Sequence, residues 1–359
     1  MRVDQVIPTL ARRDAIGSHT LAIRDLLRAE GFTSEIFYEH CTADAAAEGR
    51  PVTELDDVDG SPRVLLYQLS TGSPLADRLL RRPEPLVVDY HNVTPAALLA
   101  PWEPAVGAEV DLGRRQMAAL ADRCVLALAD SAYNEAELKA VGYRATRVVP
   151  LLIDMTSTGA QPDPALSARL ATAKQRGGAD LLFVGRLAPH KAPHDLVKLL
   201  AVLRRADDRR ARLHLVGAPF GQRYHQALLS FIDRLGLRDA VCLPGSVTPA
   251  ELEAYYRAAD VFVCASDHEG FCVPIVEAMG HQVPVVAYAA GAVADTVADA
   301  GLLIDDKAPA RFAAAVARIL DDVPLRRRLI AAATRRAAEF DPGRTRRTFL
   351  DAIDGVVRS

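Results

Sequence analysis

No stretch of this sequence approaches the roughly 18 consecutive apolar residues that a membrane-spanning helix needs, so no spanning segment is expected. The opening residues, MRVDQVIPTLARRD, are too briefly apolar and too soon charged for a secretory leader. Nor is there an excess of one charge: 43 Lys and Arg stand against 46 Asp and Glu, a formal net charge of −3. With a pI near 6.3 the chain has no general pull toward nucleic acid. Local basic clusters (Arg204-Arg205, Arg326-Arg327-Arg328, Arg335-Arg336) sit on Ala- and Leu-rich helical patterns and read as solvated helix faces. Cysteine is sparse and unpatterned. The five thiols, Cys41, Cys124, Cys242, Cys264 and Cys272, form no CxxC pair and are odd in number. Unpaired thiols in a reducing compartment fit this better than a disulfide framework or a zinc site. The expected location is the cytoplasm, with peripheral contact at the inner face of the membrane left open.

What is present is a long alternation of short apolar runs and helical patterns, in 359 residues that exceed one comfortable core. Such alternation argues for βαβ units and parallel sheets. In the first half, strands are expected at Arg2–Pro8, Ser34–Tyr38, Arg63–Leu69, Leu86–Tyr90, Val125–Ala129 and Thr146–Leu151. A turn around Gly17 precedes a helix over Ser18–Glu30; further helices fit Gly113–Asp122 and Tyr133–Val141. The segment Thr156–Pro164, polar and rich in Pro and Gly, has the composition of a linker. The alternation then restarts, with strands at Leu181–Gly185, Arg212–Gly217, Val241–Leu243, Val261–Cys264, Val283–Tyr288 and Gly301–Ile304. Two α/β domains are therefore expected, residues 1–154 and 155–343, with a strandless helical stretch at 344–357 that fits either.

Four segments carry polar residues where parallel sheets bind ligands, just past strand carboxyl ends. Ser266–Met279 follows an apolar strand and enters a helix near Val273, whose N-terminus suits a phosphate. Glu269 lies in its loop and Glu277 on the helix, so the two can reach different parts of one elongated ligand. Equally, Glu277 fits a helix surface and Glu269 the neighbourhood of an N-cap. In Phe183–Lys191 a buried strand runs into Gly185, and the cations Arg186 and Lys191 lie five positions apart. They could clamp a diphosphate, or stand solvated in a loop. His91 ends the strand Leu86–Tyr90 beside Asp89 and Asn92; a lone histidine is more often structural than functional. Gly17 marks the first turn, where a glycine lets backbone come close to a ligand.

Taken in order, these residues resemble the retaining glycosyltransferases with the GT-B fold, often called family 4. That family carries a Gly-rich first turn, a histidine after an N-domain strand, a G-R-x4-K segment and an E-x7-E motif. Here they are matched by Gly17, His91, Gly185-Arg186 with Lys191, and Glu269 with Glu277. Lesser matches are Asp130-Ser131, Pro150–Asp154 and Pro244–Val247. The resemblance implies two Rossmann-like domains with parallel sheets facing a central cleft, the first holding the acceptor and the second a nucleotide-sugar. The helix at 344–357 would return to the first domain. By the same resemblance Arg186 and Lys191 bind the donor diphosphate and Glu277 the ribose. Glu269 and the backbone of Phe271, Cys272 and Val273 meet the sugar and phosphate, and Val247 lies beside the base. Gly17 admits the diphosphate, and His91 contacts the transferred sugar. No metal and no cofactor are implied beyond the nucleoside diphosphate sugar, UDP- or GDP-linked; the acceptor is a sugar, glycoside or lipid-linked hydroxyl. Ser18, Ala192, Cys272 and Gln282 stand where the family often has glycine. A GT-B sugar phosphorylase, a nucleotide-sugar epimerase and a non-catalytic binding protein remain alternatives. A dinucleotide-dependent oxidoreductase lacks its fingerprint, for neither first turn carries the glycines with an acidic residue about 20 positions on.

Overall fold

A computed structural model describes residues 1–12, 14–56, 62–153, 159–206 and 210–358 of the protein. The chain divides into two units, Met1–Ile153 with Asp341–Ser359, and Asp154–Phe340. The boundary expected near residue 155, the last residue of Pro150–Asp154 and the first part of the expected linker, 156–158, lie outside the described residues.

Unit 1 alternates strands and helices: β1 (Arg2–Leu10), α1 (Ala15–Ala29), β2 (Ile36–Cys41), β3 (Arg50–Pro51), β4 (Arg63–Leu69), α2 (Pro74–Leu80), β5 (Leu86–Tyr90), α3 (Pro104–Leu120), β6 (Cys124–Ala129), α4 (Ala132–Ala140) and β7 (Thr146–Val148). Its seven strands make a parallel sheet in the order β3-β2-β1-β4-β5-β6-β7. Unit 2 contains α5 (Pro164–Gln175), β8 (Asp180–Val184), α6 (Pro193–Ala206), β9 (Arg212–Val216), α7 (Gln222–Arg234), β10 (Val241–Gly245), α8 (Pro249–Ala258) and β11 (Val261–Cys264). It continues with α9 (Val273–Gly280), β12 (Val285–Tyr288), α10 (Val293–Val297), β13 (Gly301–Ile304), α11 (Pro309–Asp321) and α12 (Val323–Glu339). Its six strands are also parallel, in the order β10-β9-β8-β11-β12-β13. Both orders reverse beside the first strand of the unit, between β1 and β4 and between β8 and β11. A doubly wound sheet opens a crevice at such a reversal, outside the strand carboxyl ends.

The apolar runs become strands buried on both faces, as parallel sheets covered by helices require. In β8, Leu181 and Phe183 enter one core while Leu182 enters the other; in β11, Val261 and Val263 oppose Phe262 and Cys264 in the same way. Local chemistry sets helix starts. Asp163 caps α5, accepting from the Leu166 N–H at 2.7 Å, and Thr248 with Glu251 forms a reciprocal capping box on α8. Among the described residues no helix is long and apolar enough to cross a membrane. Arg114 is paired with Glu137 at 2.7 Å and Arg115 with Asp111, so neither stands as a bare cation on α3.

Several expected bounds move for identifiable reasons. Helix α1 begins at Ala15, which puts Gly17 inside its first turn and not in a free turn before it. A Cβ on Gly17 would stand 1.9 Å from the Ala11 carbonyl oxygen, so glycine lets the helix pack over the chain that leads into it. Helix α3 starts at Pro104, a proline at the N-terminal position it tolerates best. It also takes in most of Trp102–Arg115, and its Gly113 fits closely against Gly72. Strand β12 begins only after Pro284, which has no N–H for the ladder.

The strandless stretch forms α13 (Pro342–Val357), part of unit 1. Phe349, Ala352 and Ile353 share a core with Val3, Val64, Val87 and Leu128 of that sheet and with Ile23 and Leu27 of α1. Phe349 is fully buried. Phe349→Ala is expected to cost about 3–5 kcal/mol of stability, measured by urea denaturation; a loss under about 1 kcal/mol would show that α13 is dispensable to this core.

Candidate functional site

Lys191 and Glu269, two of the candidate residues of unit 2, meet where its strand order reverses. Strands β8 and β11 are neighbours in register, Leu181 beside Val261 and Leu182 beside Phe262, so the loops leaving them emerge side by side. Strand β8 runs into Gly185, at φ 148°. Across from it Gly217 must also be glycine, since a Cβ there would lie 2.1 Å from the Gly185 carbonyl oxygen. Arg186 is exposed, its guanidinium carbon 5.5 Å from the centre of the Phe220 ring. The chain then makes one tight turn, Pro189–Lys191, which directs Lys191 at the next loop.

There the Lys191 Nζ meets Glu269 Oε2 at 2.6 Å, and Glu269 Oε1 accepts from Ser266 Oγ at 2.7 Å. Glu269 is 6% exposed. Burial works against the Lys191 charge, but the Glu269 carboxylate outweighs it and holds the ammonium pKa above its ordinary value. Backbone bonds fasten the loops as well: the Asp267 N–H donates to the His190 carbonyl at 2.7 Å, and the Ala292 N–H to the Glu269 carbonyl at 2.9 Å.

Beyond Glu269 the chain enters α9. Phe271 is buried edge-on against Phe340 at 5.2 Å, and its carbonyl accepts from Thr296 Oγ1 at 2.6 Å. Cys272 is the N-cap, held at φ 72°, and Val273 is the first helical residue. Their backbone therefore presents the positive end of a helix to this edge of the sheet. Glu277, on the same helix, accepts from the buried Tyr256 hydroxyl at 2.6 Å. Burial raises its pKa, while the Tyr256 bond opposes the rise. Tyr256 is in turn stacked on His281, with ring centres 4.7 Å apart. Val247, past β10, is half-buried against the core that contains Tyr256. Lys191 and Glu269 are thus brought into contact, and Glu277 is held by a tyrosine that the sequence pattern did not single out.

In unit 1, His91 lies past β5 with its side chain 1% exposed. Its Nδ1 faces both Asp130 carboxylate oxygens at 3.1 Å and its Nε2 faces Gln68 Oε1 at 2.5 Å. The Gln68 amide is oriented by donating to Gln5 Oε1 at 3.0 Å. Two nitrogens facing acceptors describe an imidazolium. Burial presses against that charge, yet Asp130 and Asp89 outweigh it and bring the pKa up to about 9. His19, on α1, accepts from the Leu152 N–H at 2.8 Å and so donates its other N–H to Asp89, 2.9 Å away. Gly17 lies two positions before His19 on the same helix. Gln68 and His19 gave no signal in the sequence, since β4 and α1 meet β5 only through the fold.

Among the described residues, two groups place donor atoms within 4.8 Å of one another in the manner of metal ligands: His19, Asp89 and His91, and Cys264, Glu269 and Cys272. In the first, both nitrogens of each ring are engaged within the protein. In the second, the Lys191 ammonium already neutralises the carboxylate, standing where a cation would. Neither donor set is suited to a metal as it stands.

The family model described as Glycosyl transferases group 1 matches residues 168–336. The chain is 35% identical over 293 residues to the D-inositol 3-phosphate glycosyltransferase of Kineococcus radiotolerans, a span of 76% of this chain and 67% of that protein. It is 36% identical over 255 residues to the protein of the same name from Frankia alni, covering 69% and 60%. The matched span is thus about two thirds or less of these relatives' own length. Among solved structures, the fold is similar to Anabaena HepE in complex with UDP-glucose, with a TM-score of 0.78 at 18% identity, covering 99% of this chain and 100% of that one. It is also similar to sucrose-phosphate synthase from Thermosynechococcus elongatus, with a TM-score of 0.76 at 18% identity and full coverage of both.

The His91 network gives a pH dependence with a definite sign. Its folded-state pKa of about 9 exceeds the ~6.5 of an unfolded histidine. Its contribution to stability is therefore complete below about pH 6.5 and is lost as pH rises through about 9. Chemical denaturation across that window should show a loss of up to about 3 kcal/mol that His91→Gln does not share. Equal slopes in the two proteins would contradict the assignment.

Proposed function

Because the chain belongs to the glycosyl transferases group 1 family, we propose that it moves a hexose from a nucleoside diphosphate sugar, UDP- or GDP-linked, to an acceptor hydroxyl. The observation that carries this reading is the Lys191–Glu269 pair, at 2.6 Å, beside the N-terminus of α9 at the reversal between β8 and β11. Lys191, Arg186 and the helix N-terminus offer positive charge without a metal ion, in a place suited to a diphosphate. As the bond from the anomeric carbon to phosphate breaks, this charge stabilises the departing nucleotide. The acceptor oxygen bonds to the same face of the sugar, its proton passing to the leaving phosphate oxygen, and configuration is retained. Glu269 stays a sugar-binding carboxylate and Lys191 anchor; it forms no covalent bond to the sugar.

Glu277 takes the ribose hydroxyls with the carboxylate oxygen that Tyr256 leaves free. The backbone of Phe271, Cys272 and Val273, with Gly185, lies along the phosphates, and Val247 lies beside the base. Unit 1 would hold the acceptor, with Gly17 admitting the donor diphosphate and His91 as the candidate contact to the transferred sugar. His91 reaches a sugar only if Gln68 yields its hydrogen bond, so its first role is to keep a fixed positive charge there. The relatives' name makes a phosphorylated cyclitol the first acceptor to try.

Arg186→Ala removes an exposed cation and leaves no buried charge behind, which makes it the cleaner partner to Lys191→Ala. Product mass spectrometry with UDP- and GDP-sugars, with and without acceptor, should show turnover falling about 100-fold or more in Lys191→Ala and less in Arg186→Ala. Thermal melts check that both stay folded. Near-normal transfer by a folded Lys191→Ala would sink the assignment. Donor interconversion without acceptor would indicate an epimerase, phosphate-dependent release of sugar 1-phosphate a phosphorylase, and donor binding without turnover a binding protein.

A further inference from the structure

A second set of chemical groups lies in unit 2, built on the amino-terminal parts of three adjacent strands. Asp180 opens β8, His214 is inside β9, and Cys242 is the register partner of His214 on β10. Asp180 Oδ1 is 2.9 Å from His214 Nε2. Arg212 holds the same carboxylate with two bonds, at 2.7 and 2.9 Å. Burial alone would raise the Asp180 pKa, but His214 and Arg212 bring it down to about 2, so it is a carboxylate. A carboxylate at Nε2 fixes the proton of a neutral imidazole on that nitrogen and leaves Nδ1 with a lone pair. The His214 Nδ1 is buried and has no hydrogen-bond partner, although the residue is only 6% exposed. A buried nitrogen with nothing bonded to it is costly unless it has work to do.

Cys242 stands beside His214 as its register partner across β9 and β10. Cys242 is the exposed thiol of the five, the others being half-buried or buried. Tyr255 Oη lies 3.9 Å from Cys242 Sγ, and the Tyr255 and His214 rings are 5.4 Å apart, so tyrosine, imidazole and thiol form one cluster. His214 holds the Cys242 thiol below its ordinary pKa, more than offsetting burial, and Tyr255 and Arg169 add to the effect. Arg169 also lines a shallow surface depression on α5, together with Ala168, Thr172, Ala173 and Arg176. Arg169 therefore sets a positive charge toward the thiol, while Glu251 sets a negative one toward Tyr255.

We propose that Cys242 is a nucleophilic thiol, activated by the Asp180–His214 relay, that forms a mixed disulfide with small anionic disulfides. In the step, His214 Nδ1 takes the Cys242 proton and the Sγ thiolate attacks one sulfur of the disulfide. The Sγ–S bond forms as the S–S bond breaks, and the departing thiolate takes the proton back from His214. One thiol is consumed and one released, so no further oxidant is required. Arg169 favours reagents that carry carboxylates.

The test uses the full chain, with dithiobis-nitrobenzoate as the anionic disulfide and cystamine as the cationic one. Peptide mapping should place the first mixed disulfide on Cys242, and Cys242→Ser should lose the fast phase. At about pH 7, His214→Asn should slow that phase about tenfold. Arg169→Ala should narrow the preference for the anionic reagent. A first label on another cysteine, or an unchanged Cys242 rate in a folded His214→Asn, would overturn the proposal. Should that variant not fold, the pH profile of the wild-type reaction decides. The groups facing the thiol are His214 from β9, Asp180 from β8 through His214, Tyr255 from α8, Glu251 of α8 through Tyr255, and Arg169 from α5. An apparent midpoint clearly below the ~8.5 of a free cysteine supports the relay, and one at or above it overturns it.

Discussion

Lys191 and Glu269 join the loops that leave two neighbouring strands, and most of the candidate site is arranged around that contact. A lysine on a flexible four-carbon stem carries about 2 kcal/mol of rotamer entropy. Fixing its ammonium at 2.6 Å from a carboxylate that is itself held by Ser266 removes that freedom before any ligand arrives. The ammonium has three donors and Glu269 occupies one of them. Such prior fixing is what makes charge useful to a reaction, because no reorganisation has to accompany it. It also explains why the pair is fragile: removing one partner strands the other's charge where water is scarce.

The backbone around this contact is under local constraint. Ala192, Cys272 and Gln282 all adopt left-handed conformations, at φ 47°, 72° and 58°. These are the three positions in the second unit at which the resembled family often carries glycine. An L side chain there costs about 1–2 kcal/mol against glycine. Ala192 directly follows Lys191, Cys272 caps α9, and Gln282 lies just past its end. These left-handed turns are therefore held here without glycine. Keeping a strained turn is consistent with the shape of the backbone, which aims Lys191 and the N-terminus of α9, mattering more than the side chains it carries.

How much of this could be read from sequence follows from the range of each interaction. Strands such as Leu181–Val184 and Val261–Cys264 were plain, because burial on both faces leaves an unbroken apolar run. The loops after them were identifiable for the same reason, and with them Arg186, Lys191, Glu269 and Glu277. Gly17 was noticed but misplaced, since only the folded chain shows the Ala11 carbonyl above it. Ser266 was noted only as the start of the segment that holds Glu269, and the partners Tyr256, Gln68 and His19 were not singled out at all. Each comes from a different element, and nothing local distinguishes a tyrosine that will hold a glutamate from one that merely packs. The attachment of α13 to the first unit had no local signal either; its apolar face would have suited any sheet.

The two buried histidine networks show how similar parts reach opposite ends. His91 has acceptors at both ring nitrogens, carboxylate on one side and amide oxygen on the other, and so is held as a cation until the pH approaches about 9. His214 has a carboxylate at one nitrogen and no hydrogen-bond partner at the other, and its register neighbour is a thiol that solvent can reach. The first arrangement stores positive charge; the second leaves a lone pair that can take a proton and return it. What separates them is the third group, Gln68 in one and Cys242 in the other, for the carboxylate and imidazole are common to both. A histidine paired with aspartate is therefore not informative by itself. Its chemistry is set by whatever faces the nitrogen that the aspartate does not hold.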